Sequence, residues 1–463
     1  MNQRTRPRAA AGIALAAICA CLAIAEGASK PNLVLFITDD HGQLDSSVYG
    51  AKDVRTPNMQ RLADAGMTFT HAFVASPACA PSRGALLTGL MPARNGAMAN
   101  HSKPRVELKK LPAFLKELGY EVVAFGKVSH YRHTKDYGFD HFAHDSFHDD
   151  EAVPAALKWL RERKSGKPLA LFVGTNWPHV PWPDGFEGYD PARVTLPPTF
   201  ADTPVTREAR ARYYAAVTRM DTELGQVYDA ARERLGTNTF FLTTSDNGAQ
   251  FPFGKWNLYD AGTRTPFIAV WPGVIKPGAR ADAMVNWVDI LPTLVELAGG
   301  KPPDDLDGSS FAGVLRGETT AHRDRIFTTH SRDGDMNVYP CRAVSTAEWK
   351  YIRNLQRDAE HTTHIDKGQA RDGKDYWDSW VEKARTEPAA AAAVACYHTR
   401  LAEELYDLRA DPFELRNLAL RSEHASTLAK LRAELDAWMK SQGDEGLKTE
   451  RAIAEALPRK PKK

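Results

Sequence analysis

Apolar residues along this chain gather in short unbroken runs, separated by stretches in which they recur at helical spacing. The runs Asn32–Thr38, Glu121–Phe125, Leu169–Gly174, Thr239–Thr244 and Phe267–Trp271 are short and dominated by apolar and Thr residues, and they predict buried strands. Between them, Pro57–Ala65, Leu111–Leu118, Val153–Arg163 and Arg207–Arg234 predict helices; Thr56 precedes the first and Gly119 closes the second. Strands alternating with helices predict an α/β fold, a mixed but mainly parallel sheet sandwiched by helices.

From about Ile326 the pattern changes. Ala343-Val344, Tyr351-Ile352 and Leu405-Tyr406 predict shorter strands, and Glu423–Met439 an amphipathic helix. The expectation is a main α/β domain over 26–325 and a smaller α+β subdomain over 326–457. Within the latter, the polar stretch 357–395 ends in an alanine run and reads as an insertion or long loop. The last residues, 458–463 (PRKPKK), read as a disordered basic tail.

The first 25 residues follow a different rule. Arg4, Arg6 and Arg8 form a positive segment, Ala9 to Ala25 is almost wholly small or apolar, and Ala23-Ile24-Ala25 suits signal-peptidase cleavage. A membrane anchor fits less well, because the run is marginal for a span and lacks a charged stop-transfer flank. Ile18-Cys19-Ala20-Cys21 makes a poor lipobox. An exported protein, periplasmic or secreted, is expected, with no membrane span in the mature chain.

Cleavage there changes the charge and cysteine inventories. It removes three arginines from the 60 basic residues and none of the 58 acidic ones, leaving a formal charge of −1. That balance gives no bulk attraction for nucleic acid, so an anionic ligand needs local cations. Three cysteines remain, Cys79, Cys341 and Cys396. They are too few for a disulfide scaffold; Cys341 and Cys396 could pair and leave Cys79 as the odd thiol.

Candidate chemistry collects where the predicted strands end. Asp39-Asp40 follows the first, Gly126-Lys127 the second, Asn176-Trp177-Pro178-His179 the third and Ser245-Asp246-Asn247-Gly248 the fourth. Ligand sites of open α/β sheets lie at the carboxyl ends of strands. Alone, DD and DNG are ordinary turn sequences. Together, Asp39, Asp40, Asp246 and Asn247 make an all-oxygen set suited to calcium or magnesium rather than zinc. Beside them, Cys79-Ala80-Pro81-Ser82-Arg83 precedes an apolar segment. A helix starting there places Cys79 at its positive end, with Arg83 one turn on along the same face.

The unbroken CAPSRGALLTG resembles the signature of the formylglycine-dependent sulfatases, Cys-x-Pro-Ser-Arg followed by Leu-Leu-Thr-Gly. The resemblance runs from PNLVLFITDD through TSDNG to ELYDLRADPFELRNLA. Within that family the chain is most similar to the N-sulfoglucosamine sulfohydrolase (heparan N-sulfatase) branch, in PARNGAMANH, VTRMD, SDNGAQFPFGKWNLYDAGT, YPCRAV and KYIRN. Two departures stand out. Many sulfatases carry Gly-Lys-Trp-His, whereas here His130 comes one place later, in Gly126-Lys127-Val128-Ser129-His130. The heparan N-sulfatase has arginine where this chain has Lys255, so the charge is kept but the bidentate geometry is not.

The resemblance implies an alkaline phosphatase-like fold and a formylglycine derived from Cys79 by a formylglycine-generating or anaerobic maturation enzyme. Its hydrated aldehyde attacks sulfur, and the second hydroxyl then expels sulfate by reforming the aldehyde. Calcium is held by Asp39, Asp40, Asp246 and Asn247, with residue 79 beside it, and Asp246 is the base towards the attacking hydroxyl. Arg83 and Lys127 hold diol and sulfate oxygens, and Lys255 adds charge. His179 is the general acid, His130 the base of the elimination step, and His101 a substrate contact. The implied substrate is a sulfated saccharide, foremost the N-sulfate of glucosamine in heparan-type chains. Two competing expectations are a two-zinc phosphatase or phosphonate hydrolase of the same superfamily, and a non-catalytic glycan-binding protein.

Overall fold

A computed structural model describes Met1 and residues 29–456. The expected signal segment and basic tail lie outside the described residues. Contacts separate Met1–Lys30 from Pro31–Lys463, and among the described residues every strand and helix belongs to the second of these units.

The main sheet has eight strands: β1 (Asn32–Thr38), β2 (Met67–Phe73), β3 (Glu121–Gly126), β4 (His141–Ala143), β5 (Leu169–Gly174), β6 (Thr239–Ser245), β7 (Phe267–Val270) and β8 (Ala279–Asn286). They lie in the order β4-β3-β5-β1-β6-β7-β2-β8. All pairings are parallel except those of β7, which runs antiparallel to both neighbours. The central strands are apolar on both faces because helices cover both. Along β1, Val34 and Phe36 join a core with the helices Pro57–Ala65, Ala152–Glu162 and Pro204–Leu235. Leu33, Leu35 and Ile37 point the other way, against Leu111–Glu117 and Ile290–Leu297. This is the α/β arrangement predicted from the runs.

A second, antiparallel sheet orders β9 (Ile326–Asp333), β10 (Asn337–Ser345), β11 (Trp349–Asn354) and β12 (Glu403–Asp407) as β12-β11-β10-β9. Leu428, Leu431, Leu435 and Met439 of the helix Ala425–Ser441 pack on it. The stretch expected as an insertion or long loop is largely helical, with Lys374–Lys383 and Pro388–His398 joined by Trp377, Trp380 and Tyr397 to the first core. Its polar sequence hid three buried aromatic rings, Tyr376, Trp377 and Trp380, with a fourth, Tyr397, just past its end. Cys341 is buried, Cys396 is exposed, and both are free thiols, so the pairing left open by the sequence does not form. Among the described residues no helix is long and apolar enough to cross a membrane.

Register brings the site together. Thr38 lies level with Ser245, Ile37 with Gly174, and Gly126 with Gly174, so four parallel strands end side by side. The two glycines are required there. Gly126 has φ +73°, and a Cβ on either residue would collide with the other strand's backbone, at the Gly174 carbonyl or at Lys127.

Candidate active site

The helix Cys79–Thr88 begins beside those strand ends, after Ala78 in extended conformation, and every one of its residues is buried. It closes at Gly89 in left-handed conformation, φ 68°. Its first turn presents Cys79 and Arg83 to the carboxylates. Lys127 Nζ lies 3.3 Å from Cys79 Sγ and also bonds Asp39. Cys79 Sγ is 3.6 Å from Asp39 Oδ1. Arg83 Nε donates to Asp246 Oδ2 at 2.8 Å, and its other nitrogens bond the Lys127 carbonyl and face Asp39 Oδ1 at 3.6 Å.

The remaining predicted residues close the ring. Asp40 accepts from Asn247 Nδ2 at 2.7 Å and from Lys255 Nζ at 2.8 Å, while His179 Nε2 stands 3.7 Å from its Oδ2. The Asp40 backbone N–H donates to Asp246 Oδ1 at 3.1 Å. Three carboxylates thus face three cations, Arg83, Lys127 and Lys255, all at most 2% exposed. Donor atoms of Asp39, Cys79 and Asp246 lie within 4.8 Å of one another, as do those of Asp40, Cys79 and His179.

His130 and His101 pair with each other rather than with the carboxylates of the ring, and of its cations Lys127 acts on His130. His130 Nε2 and His101 Nδ1 are 2.7 Å apart, and His101 Nε2 is 3.2 Å from Asp333 Oδ1 on β9. Three participants escaped sequence reasoning: Asn100, Tyr131 and Asp333. Asn100 accepts from the Ala80 N–H at 3.0 Å and donates to Asp333 at 2.8 Å. Tyr131 puts its ring 4.4 Å from Lys127 Nζ. Only the MANH stretch gave a hint, through Asn100; Asp333 comes from a strand whose neighbours in the chain carry no site residue.

Burial and charge set the protonation of this cluster. Burial opposes ionisation of Asp39, but Lys127, His179, Arg83 and Lys255 outweigh it and hold the carboxyl well below its usual range. Burial pushes the Asp246 carboxyl up to about 7 against the pull of Arg83, and it raises Asp40 against that of Lys255. Burial also lifts the Cys79 thiol well above its usual range despite Lys127 and Lys255, so an unmodified Cys79 is a thiol rather than a thiolate. His179 and His130 are both held neutral, by burial first and by nearby lysines after it.

The donor set fits a hard divalent cation. Asp39, Asp40, Asp246 and Asn247 offer only oxygen, and Asn247 Oδ1 is buried with no hydrogen-bond partner. No cluster of several histidines around those carboxylates, as a pair of zinc ions would use, occurs among the described residues.

Comparison with known proteins decides the family. The model of the family described as Sulfatase matches residues 31–300, more than half of the chain. The chain belongs to the sulfatase family. A second family model, "N-sulphoglucosamine sulphohydrolase, C-terminal", matches residues 248–375. An ulvan-active sulfatase of Formosa agariphila is 32% identical over 90% of this chain and 81% of its own length. The human N-sulphoglucosamine sulphohydrolase is 26% identical over 89% of this chain and 90% of its own. A protein solved with its substrate D-glucosamine-2-N,6-O-disulfate shares the fold at TM-score 0.69 and 19% identity, covering 90% of this chain and 99% of that one. The phosphonate monoester hydrolase of Agrobacterium radiobacter does so at TM-score 0.70 and 19% identity, over 89% and 96% of the two chains. For this sulfatase, family membership makes the ring around Cys79 the place to look for sulfate ester hydrolysis.

Proposed function

We propose that this sulfatase removes sulfate from the terminal sugar of a sulfated glycan, using a formylglycine made from Cys79, with the N-sulfate of glucosamine in heparan-type saccharides as its first substrate. The observation that carries this is the setting of Cys79: first residue of a buried helix, between Asp39 and Lys127, where an unmodified thiol is a poor nucleophile. The match over 248–375 to the family described as N-sulphoglucosamine sulphohydrolase, C-terminal, supports the N-sulfate, while Lys255 within it departs from that enzyme's arginine. Similarity to the ulvan-active sulfatase favours a second reading, an O-sulfate of another sulfated sugar.

Calcium, when held by Asp39, Asp40, Asp246 and Asn247, supplies a Lewis acid for a sulfate oxygen. The chain's own groups do the rest. Asp246, anchored by Arg83 beside residue 79, accepts the proton of the attacking hydroxyl on that residue. Arg83 and Lys127 hold oxygens around that residue, and Lys255 adds positive charge behind Asp40. His179 donates a proton to the departing oxygen or nitrogen; a sulfate placed beside it favours the imidazolium it needs. His130 takes a proton as sulfate leaves. The chain is exported to the periplasm or beyond, and its partners are a maturation enzyme and the sulfated saccharide.

Peptide mass spectrometry across Cys79, on protein from a host with a maturation system, tests this. A mass about 18 Da below the cysteine form is expected, together with sulfate release from N-sulfated glucosamine. Unmodified cysteine in an active enzyme would refute the formylglycine reading; release from ulvan oligosaccharides alone would select the second substrate.

A further inference from the structure

We infer that Asp333, on the second sheet, acts through His101 to hold His130 in the tautomer that carries hydrogen on Nε2, leaving Nδ1 as the proton acceptor of the site. This rests on the proposed sulfatase chemistry and adds two positioning residues, Asp333 and His101, to it.

The chain of contacts fixes the assignment. Asp333 Oδ2 accepts from Asn100 Nδ2 and Trp256 Nε1, both at 2.8 Å. Oδ1 makes no hydrogen bond in the structure, and the group that faces it is His101 Nε2, at ion-pair distance, 3.2 Å. A carboxylate oxygen accepts only, so His101 carries its hydrogen on Nε2 and turns an Nδ1 lone pair to His130. The 2.7 Å contact then requires His130 Nε2–H as donor. What remains on His130 is Nδ1, buried with no partner among the described residues. As a lone pair it is a ready base.

The alternatives fail on the same atoms. If His130 Nε2 accepted, a neutral His101 would aim an Nε2 lone pair at the Asp333 carboxylate. A doubly protonated His101 would avoid that clash but put the hydrogen of His130 on Nδ1, leaving no free lone pair to take the proton of the elimination step. His101 also sits at φ +65°, in the left-handed region that non-glycine residues rarely occupy. Asn100, next to it, ties Asp333 to the N-terminus of the Cys79 helix, through the Ala80 N–H.

Charged and titratable groups face this pair from several elements. Lys127, His101, His133 and Asp333 act on His130, and His364 from the 357–395 stretch faces both Asp333 and His101. Of these, Asp333 is the carboxylate, and it favours the protonated form of His130. Its removal therefore moves the acid limb of turnover to lower pH.

The test uses matured, full-length enzyme, with conversion of Cys79 checked by mass. In protein labelled with 15N-histidine, the signals lost in His130→Gln should show an unprotonated Nδ1 and a protonated Nε2. This readout stands whether or not the protein releases sulfate from any saccharide tried. Asp333→Asn should reverse that tautomer, lower kcat about 10²-fold, the low end of what a general base supplies, with KM little changed, and shift the acid limb downward. Asp333→Glu should recover part of the loss. Combined with His130→Gln, Asp333→Asn should add little further loss. A protonated Nδ1 in the unaltered enzyme, or losses that simply multiply in the double variant, would overturn the assignment.

Discussion

Asn247 donates from Nδ2 to Asp40 and to the Gly248 carbonyl, while its Oδ1 lies buried without a partner. Such an acceptor costs about 1–3 kcal/mol, and a cation bound there removes the cost. Calcium should therefore raise the melting temperature, corresponding to about 2.7 kcal/mol at a hundredfold excess over Kd. Asn247→Ala should lose most of that rise; equal rises in both proteins would unseat Asn247 as a ligand. At this scale much was legible beforehand. Asp39, Lys127, His179 and Asp246 each follow an apolar run, and a parallel sheet brings such ends together. Asp333 was not legible, because it reaches the site from 233 residues beyond Asn100, on a strand that tertiary packing alone delivers.

Two glycines, Gly126 and Gly174, set the spacing of β3 and β5 where Lys127 leaves the sheet. Gly174→Ala should destabilise the protein by about 3 kcal/mol through overpacking against rigid backbone. Turnover should fall as Lys127 is displaced from Asp39 and Cys79. Urea unfolding and kcat on the same preparation check both, and an unchanged midpoint with full turnover would show the strands can part freely. Strands β2, β4, β8 and β9 were missed from the pattern, β2 and β8 for evident reasons. Met67–Phe73 is interrupted by Thr68, Thr70 and His71, and its pairing with β8 shifts register between Phe69 and His71. Ala279–Asn286 is an edge strand with exposed positions at its start. Strands of this kind need no continuous apolar run, so periodicity cannot separate them from loops.

Asp289 knits the two sheets' surroundings together. Its carboxylate caps the turn after β8 at the Asn286 N–H, 2.8 Å, accepts from the Ser309 N–H at 2.9 Å, and pairs with Arg323 and His322. Burial opposes its ionisation, but Arg323 and His322 hold the carboxyl below its usual range. The stability it contributes is present above the unfolded value, about 3.9, and is lost as pH falls through the lower folded value. Asp289→Asn should cost about 3–5 kcal/mol at neutral pH and flatten the fall in stability below about pH 4. Unfolding free energies across that range provide the check; parallel profiles would remove Asp289 from acid denaturation. The way Cys79 is enclosed also bears on the protein's birth. Its neighbour Arg83 is anchored by Asp246, 163 residues further along. Until β6 has left the ribosome and docked, the segment around Cys79 lies open to another protein; afterwards it is sealed. Under the proposed formylglycine chemistry, the fraction of molecules able to work is decided before that docking, by a race between docking and modification, and treating folded protein later does not change it.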